Sequence, residues 1–134
     1  MSEKPKVTGI GGIFFKSPDP RATKDWYAKH LGLNTDRYGA MFSFRLEEQP
    51  SRKGYLQWSP MSADTEYFDP SVREFMINYR VNDLESLVEE LREAGVTIVD
   101  RIETYSYGKF VHIMDIDGNK LELWEPVDEA FDEP

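Results

Sequence analysis

The chain offers an uneven set of chemical groups: two histidines, 25 acids against 16 bases, and no cysteine. Without thiols there is no disulfide, no thiolate zinc site and no cysteine nucleophile. His30 falls at the end of a predicted helix, where a cation complements the dipole. His112 alternates in a predicted hairpin strand, where packing or hydrogen bonding is its expected role. The run from Asp115 through Asp117 and Gly118 to Asn119 looks like part of a calcium loop. The remaining loop ligands are missing, and Asp and Gly are ordinary turn residues. Lys16 and Arg80 each end a predicted strand. Phe14, Trp58, Tyr107 and Trp124 supply aromatic surface on which planar or apolar ligands stack.

Composition narrows the partners. The net charge of −9 opposes nucleic acid, because phosphate binding needs a basic surface. No apolar run is long enough for a membrane helix, so no membrane partner is expected. The polar start Met1 to Lys6 leads into no signal-peptide core, from which a cytoplasmic location is expected. A length of 134 residues suits one domain with a real core.

Periodicity supplies the elements that must position these groups. Val7 to Phe15 reads as a strand. Asp19-Pro20 opens a helix with a buried stripe of Ala22, Trp26, Tyr27 and Leu31, closed by Gly32. Ala40 to Leu46 and Gly54 to Trp58 read as strands, and Ser59 to Ser71 as the connection between two halves. Phe75 to Val81 is the next strand, and Asn82 with Glu85 has capping-box spacing. Leu84, Leu87, Val88, Leu91 and Ala94 then give a helical stripe. Val96 to Ile102, Lys109 to Met114 and Lys120 to Trp124 complete the strands.

The halves repeat. Gly12 to Asp19 lies over Met76 to Asp83 at an offset of 64, and strand, cap, helix, glycine and closing strand recur in order. The expected architecture is α+β. Two paired βαβββ modules, 7–60 and 74–126, form one domain of residues 7–126 with a curved sheet around a cleft and its helices outside. Residues 127–134 read as a loose acidic tail.

Two stretches carry a resemblance. One runs from Asp19-Pro20 through Trp26-Tyr27 to His30-Leu31-Gly32-Leu33. The other runs from Tyr107 to Phe110, through Asp115 to Asn119, to Leu121 to Trp124. They resemble the vicinal oxygen chelate superfamily of glyoxalase-type lyases, ring-cleaving dioxygenases and bleomycin-resistance proteins. The resemblance implies the fold over residues 7 to 126 and places the family's four metal-ligand positions at Gly12, Gln57, Met76 and Glu122. Only Glu122 is a good ligand, so no metal cofactor is expected beyond weak divalent binding. Glu122 becomes the candidate catalytic residue, a base whose pKa burial would raise.

Strand alternation then puts Phe14 and Lys16 with Gly12, Asn78 and Arg80 with Met76, and Trp124 with Glu122. Phe14, Lys16, Gln57, Met76, Asn78, Arg80 and Trp124 are thus the expected ligand-binding set, with Lys16 and Arg80 holding an anion. The expected function is glyoxalase/bleomycin-resistance-like small-molecule binding at a degenerate metal site. The alternative is a glyoxalase-type lyase or isomerase acting on a small anionic substrate. A homodimer is expected for such modules.

Overall fold

The computed structural model describes residues 3–132. Its strands are β1 (Val7–Ser17), β2 (Thr35–Asp36), β3 (Gly39–Arg45), β4 (Lys53–Ser62), β5 (Phe75–Val81), β6 (Glu103–Tyr105), β7 (Gly108–Met114) and β8 (Lys120–Pro126). The helices are α1 (Pro20–Leu31) after β1, α2 (Leu84–Glu93) after β5, and a final 3-10 turn η1 (Asp128–Phe131). The order β-α-β-β-β therefore occurs twice, and both modules belong to one sheet, β2-β3-β4-β1-β5-β8-β7-β6. The modules join through antiparallel pairing of β1 with β5, so they meet within one chain.

The caps follow local chemistry. Asp19 accepts from the Ala22 N–H at 3.1 Å, Pro20 occupies the first turn, and Gly32 takes the left-handed conformation at φ 74°. The second helix is capped by Asp83, which accepts from the Ser86 N–H, and not by Asn82. The Asn82 side chain instead ties down the chain start, accepting from the Lys6 N–H and donating to the Lys4 carbonyl.

The helices cover the sheet unequally. Val81, Leu84, Val88, Val111, Ile113 and Leu123 form a buried cluster beneath α2. Alternation along β7 and β8 sends Val111, Ile113, Leu121 and Leu123 to that side, and His112, Lys120, Glu122 and Trp124 to the other. The first helix does not bury the stripe read from sequence. Tyr27 packs on Trp58, with ring centroids 4.7 Å apart, while Trp26 and Leu31 stay more than half exposed.

Val96 to Ile102 makes a single bridge, Ile98 to Ile113, and not a strand; the edge strand is Glu103–Tyr105. Val96, Ile98 and Ile102 are apolar because they pack against the α2 cluster. The terminal segment is not loose up to Asp132. Asp128 is buried against Arg80, Phe131 packs on Tyr55 and Trp124, and the Tyr55 hydroxyl donates to Asp132. Glu133 and Pro134 lie outside the described residues. Among those described, no helix is long and apolar enough to cross a membrane.

Candidate functional site

The face turned away from the helices is built by register. Gly12 pairs with Gln57 on β4 and with Asn78 on β5, Asn78 pairs with Glu122 on β8, and Glu122 pairs with His112 on β7. One row thus reads Gln57, Gly12, Asn78, Glu122, His112. Met76 is opposite Phe14 and fully buried, so Asn78 stands in the place that the 64-residue offset gave to Met76. The antiparallel ladder sets Gly12 opposite Asn78 and Phe14 opposite Met76, so the positions matched by the 64-residue offset stand two residues apart along it. An irregularity in the pairing between Ile10 and Gly12 puts Gly11 where a Cβ would lie 2.4 Å from Asn78 Oδ1 and 2.7 Å from the Trp124 ring.

Glu122 is the centre of this row and is 4 % exposed. Its Oε1 accepts from Asn78 Nδ2 at 2.7 Å, and its Oε2 lies 2.8 Å from His112 Nε2. The Tyr67 hydroxyl also donates to Oε2, at 2.5 Å. His112 Nδ1 lies 2.7 Å from Asp100 Oδ2, and Asp100 Oδ1 accepts the His112 backbone N–H. Only an imidazolium can donate to both carboxylates at once.

The electrostatics agree with that geometry. Burial alone raises the Glu122 pKa, as expected from sequence, but hydrogen bonds from His112, Tyr67 and Asn78 reverse this and hold it below the usual value. Burial pulls His112 down, while its bonds and charge interactions with Glu122 and Asp100 bring it above its usual value. Tyr67 is pushed well up, first by burial and then by the Glu122 charge. The carboxylate is ionised and fully engaged, a poor state for a free base.

The row is poor in metal donors. Gly12 has none, Gln57 Nε2 donates to Ser59 Oγ at 3.0 Å, and Asn78 directs its amide N–H at Glu122 while its Oδ1 is buried without a partner. Both His112 nitrogens face carboxylates. Among the described residues no group of three or more histidines and acids is arranged to hold a metal ion. Asp115 is a turn residue: the Asn119 and Asp117 N–H groups donate to it, and the first of these bonds is the main cause of its lowered pKa.

Two clefts flank Glu122. The larger, about 740 Å³, is lined by Phe14, Tyr38, Met41, Gln57, Trp124 and Phe131, with Asn78 beneath. The smaller, about 560 Å³, is lined by Tyr67, Asp100, Arg101, Tyr105, His112 and Lys120. Glu122, Tyr107 and Phe110 border both. Phe110 stacks on Trp124 with planes 7° apart, and Trp124 Nε1 donates to the Tyr107 carbonyl.

Phe14, Gln57, Asn78, Glu122 and Trp124 are therefore brought together, and Lys16 and Arg80 are not among the residues lining either cleft. Lys16 lies over the ring of the buried Phe68, 5.9 Å from its centroid. Arg80 is held bidentately by Asp128 at 2.9 and 2.5 Å, between Phe44 and Trp124. Its fork is already filled by a carboxylate of the same chain. The sequence reading missed Tyr67 and Asp100. Tyr67 comes from the connection between modules, which folds back over the sheet, and no local pattern marks it. His112 was available by its two-residue alternation with Phe110, once that strand's register is known.

Paired βαβββ modules around a polar row on one face define a class, the vicinal oxygen chelate fold. Residues 9–123 match the Glyoxalase/Bleomycin resistance protein/Dioxygenase superfamily, and the chain belongs to it. No curated protein matches the chain. In structure it is similar to methylmalonyl-CoA epimerase from Mycobacterium tuberculosis, with TM-score 0.64 and 20% identity over 97% of this chain and 95% of that one. A variant of the Streptomyces coelicolor epimerase gives TM-score 0.68 and 16% identity, over 91% and 99%. The Mn(II)-bound glyoxalase from Novosphingobium aromaticivorans gives 0.62 and 18%, over 91% of this chain and 40% of that one. At these identities the likeness is one of fold.

Proposed function

We propose that this protein binds a small molecule in the larger cleft, holding an apolar or aromatic body without a bound transition metal. One observation carries the reading: Glu122, the one good ligand among the family's positions, has both oxygens occupied by side-chain donors of the same chain. His112 supplies the positive charge that a cation would supply elsewhere. The walls beside it, Phe14, Met41, Phe110 and Trp124, offer ring faces and thioether surface. We also propose a homodimer, because Trp26, Leu31, Ile13 and Phe42 leave apolar surface uncovered, and a cytoplasmic location.

The test is a pair of titrations on dialysed protein. Zn²⁺, Mn²⁺ and Ni²⁺ are expected to leave the melting midpoint unchanged, while a bound aromatic compound raises it by mass action. Stoichiometric metal surviving dialysis, bound through Glu122, sinks the proposal.

The chain from Asp100 through His112 to Glu122 supports a second reading, a glyoxalase-type lyase or isomerase acting on a small anionic substrate. Such a relay could move a proton between the floor of the larger cleft and the exposed Asp100. Solvent deuterium entering a substrate carbon, and lost in Glu122→Gln, supports this reading. Binding without exchange leaves the first.

A further inference from the structure

Lys120 is a buried charge that neither reading uses. It lies two residues before Glu122 on the same face of β8 and is 7 % exposed. Its Nζ donates to the Tyr67 carbonyl at 2.6 Å and lies 5.2 Å from the centre of the Tyr67 ring. Among the described residues no carboxylate lies within ion-pair distance of it. The other buried charges differ: Arg80 is answered by Asp128, and Glu122 by His112. An ammonium has three donors, and one carbonyl leaves most of its burial cost unmet. Lys120 also lines the smaller cleft, where Arg101 stands with it.

We infer that Lys120 is an anion-binding group, receiving the carboxylate head of a ligand whose aromatic body lies in the larger cleft. This rests on the reading of that cleft given above. Glu122, Tyr107 and Phe110 line both clefts, so the clefts adjoin, and the ligand we infer spans these three side chains. Lys120 and Glu122 are separated by about 7 Å along the strand. Acids on the smaller cleft decide the kind of anion. Asp100 and Glu122 are both bonded to His112, Glu103 to the Tyr105 hydroxyl, and Glu66 is exposed at the rim. These acids repel a polyanion and leave room for a single negative charge on the floor.

The experiment compares 2-naphthylacetate, 2-(2-naphthyl)ethanol and 2-(2-naphthyl)ethylammonium by calorimetry on the full chain. The carboxylate is expected to bind at least about tenfold more tightly than the alcohol, or about 1.4 kcal/mol, and the ammonium no better than the alcohol. Lys120→Met is expected to bring carboxylate and alcohol to equal affinity without weakening the alcohol, and Lys120→Arg to keep part of the preference. The midpoint of Lys120→Met, equal to or above that of the parent, separates a binding lysine from a structural one. If all three probes bind equally, the anion site is refuted and the aromatic cleft stands. If acetate, titrated alongside, binds as tightly as 2-naphthylacetate, Lys120 stands and the aromatic cleft falls. If no probe binds, both are overturned. The wild-type ranking decides the anion question even where a variant fails to fold.

Discussion

Removing Asp128 should show how firmly the C-terminal turn closes the sheet. The Arg80 and Asp128 side chains are 5 and 8 % exposed, and two bonds join them at 2.9 and 2.5 Å. In Asp128→Ala the guanidinium keeps the Tyr55 carbonyl and two ring faces but loses its only ion-pair partner among the described residues. Breaking a buried pair from one side costs about 3–5 kcal/mol. With 134 residues and an unfolding entropy of about 2.1 cal/mol/K per residue, the midpoint should fall by roughly 11–18 °C. Arg80→Met combined with Asp128→Ala removes both charges and should recover most of that loss, giving a coupling of about 2 kcal/mol or more. Scanning calorimetry on the four proteins of the cycle measures it. A loss under about 1 kcal/mol in Asp128→Ala, near 4 °C, would mean that η1 does not hold Arg80 in solution.

Stability should peak between the ordinary values of Glu122 and His112, 4.5 and 6.5. Glu122 is lowered, so its contribution is present above 4.5 and is lost as pH falls through its folded value. His112 is raised, so its contribution is full below 6.5 and is lost as pH rises through its folded value. Urea midpoints across this range should show both limbs in the parent, and His112→Gln should flatten the alkaline one. Gly11→Ala should cost about 1–3 kcal/mol, because its Cβ would meet Asn78 and Trp124; a neutral result by thermal melting contradicts that packing. Glu122→Leu should lose more than about 3 kcal/mol, leaving the buried Asn78 and His112 donors and the part-buried Tyr67 hydroxyl without an acceptor, and denaturant titration checks it. Light scattering should give twice 15.6 kDa, since Trp26, Leu31, Ile13 and Phe42 leave apolar surface uncovered; the mass of one chain excludes the dimer.

Local signals fixed much of this molecule before any contact was known. Asp19-Pro20, Gly32 and the stripe of Leu84, Val88 and Leu91 each act within one or two helical turns, so their consequences are written in short stretches of chain. The duplicated order of elements made the two-module fold legible, and with it the inward position of Glu122. Tertiary structure decided the rest. The parallel register of β5 with β8 put Asn78, and not Met76, beside Glu122. Tyr67 reaches Glu122 across 55 residues, and Asp128 reaches Arg80 across 48. Neither contact has a local pattern, because each depends on where a connecting segment lands on a sheet that other residues build. The charges Lys16, Arg80 and Lys120 look alike in sequence. Burial and the reach of a carboxylate set them apart: Arg80 has its partner, Lys16 lies on an aromatic ring, and Lys120 is buried beside a cleft with no acid among the described residues at ion-pair distance.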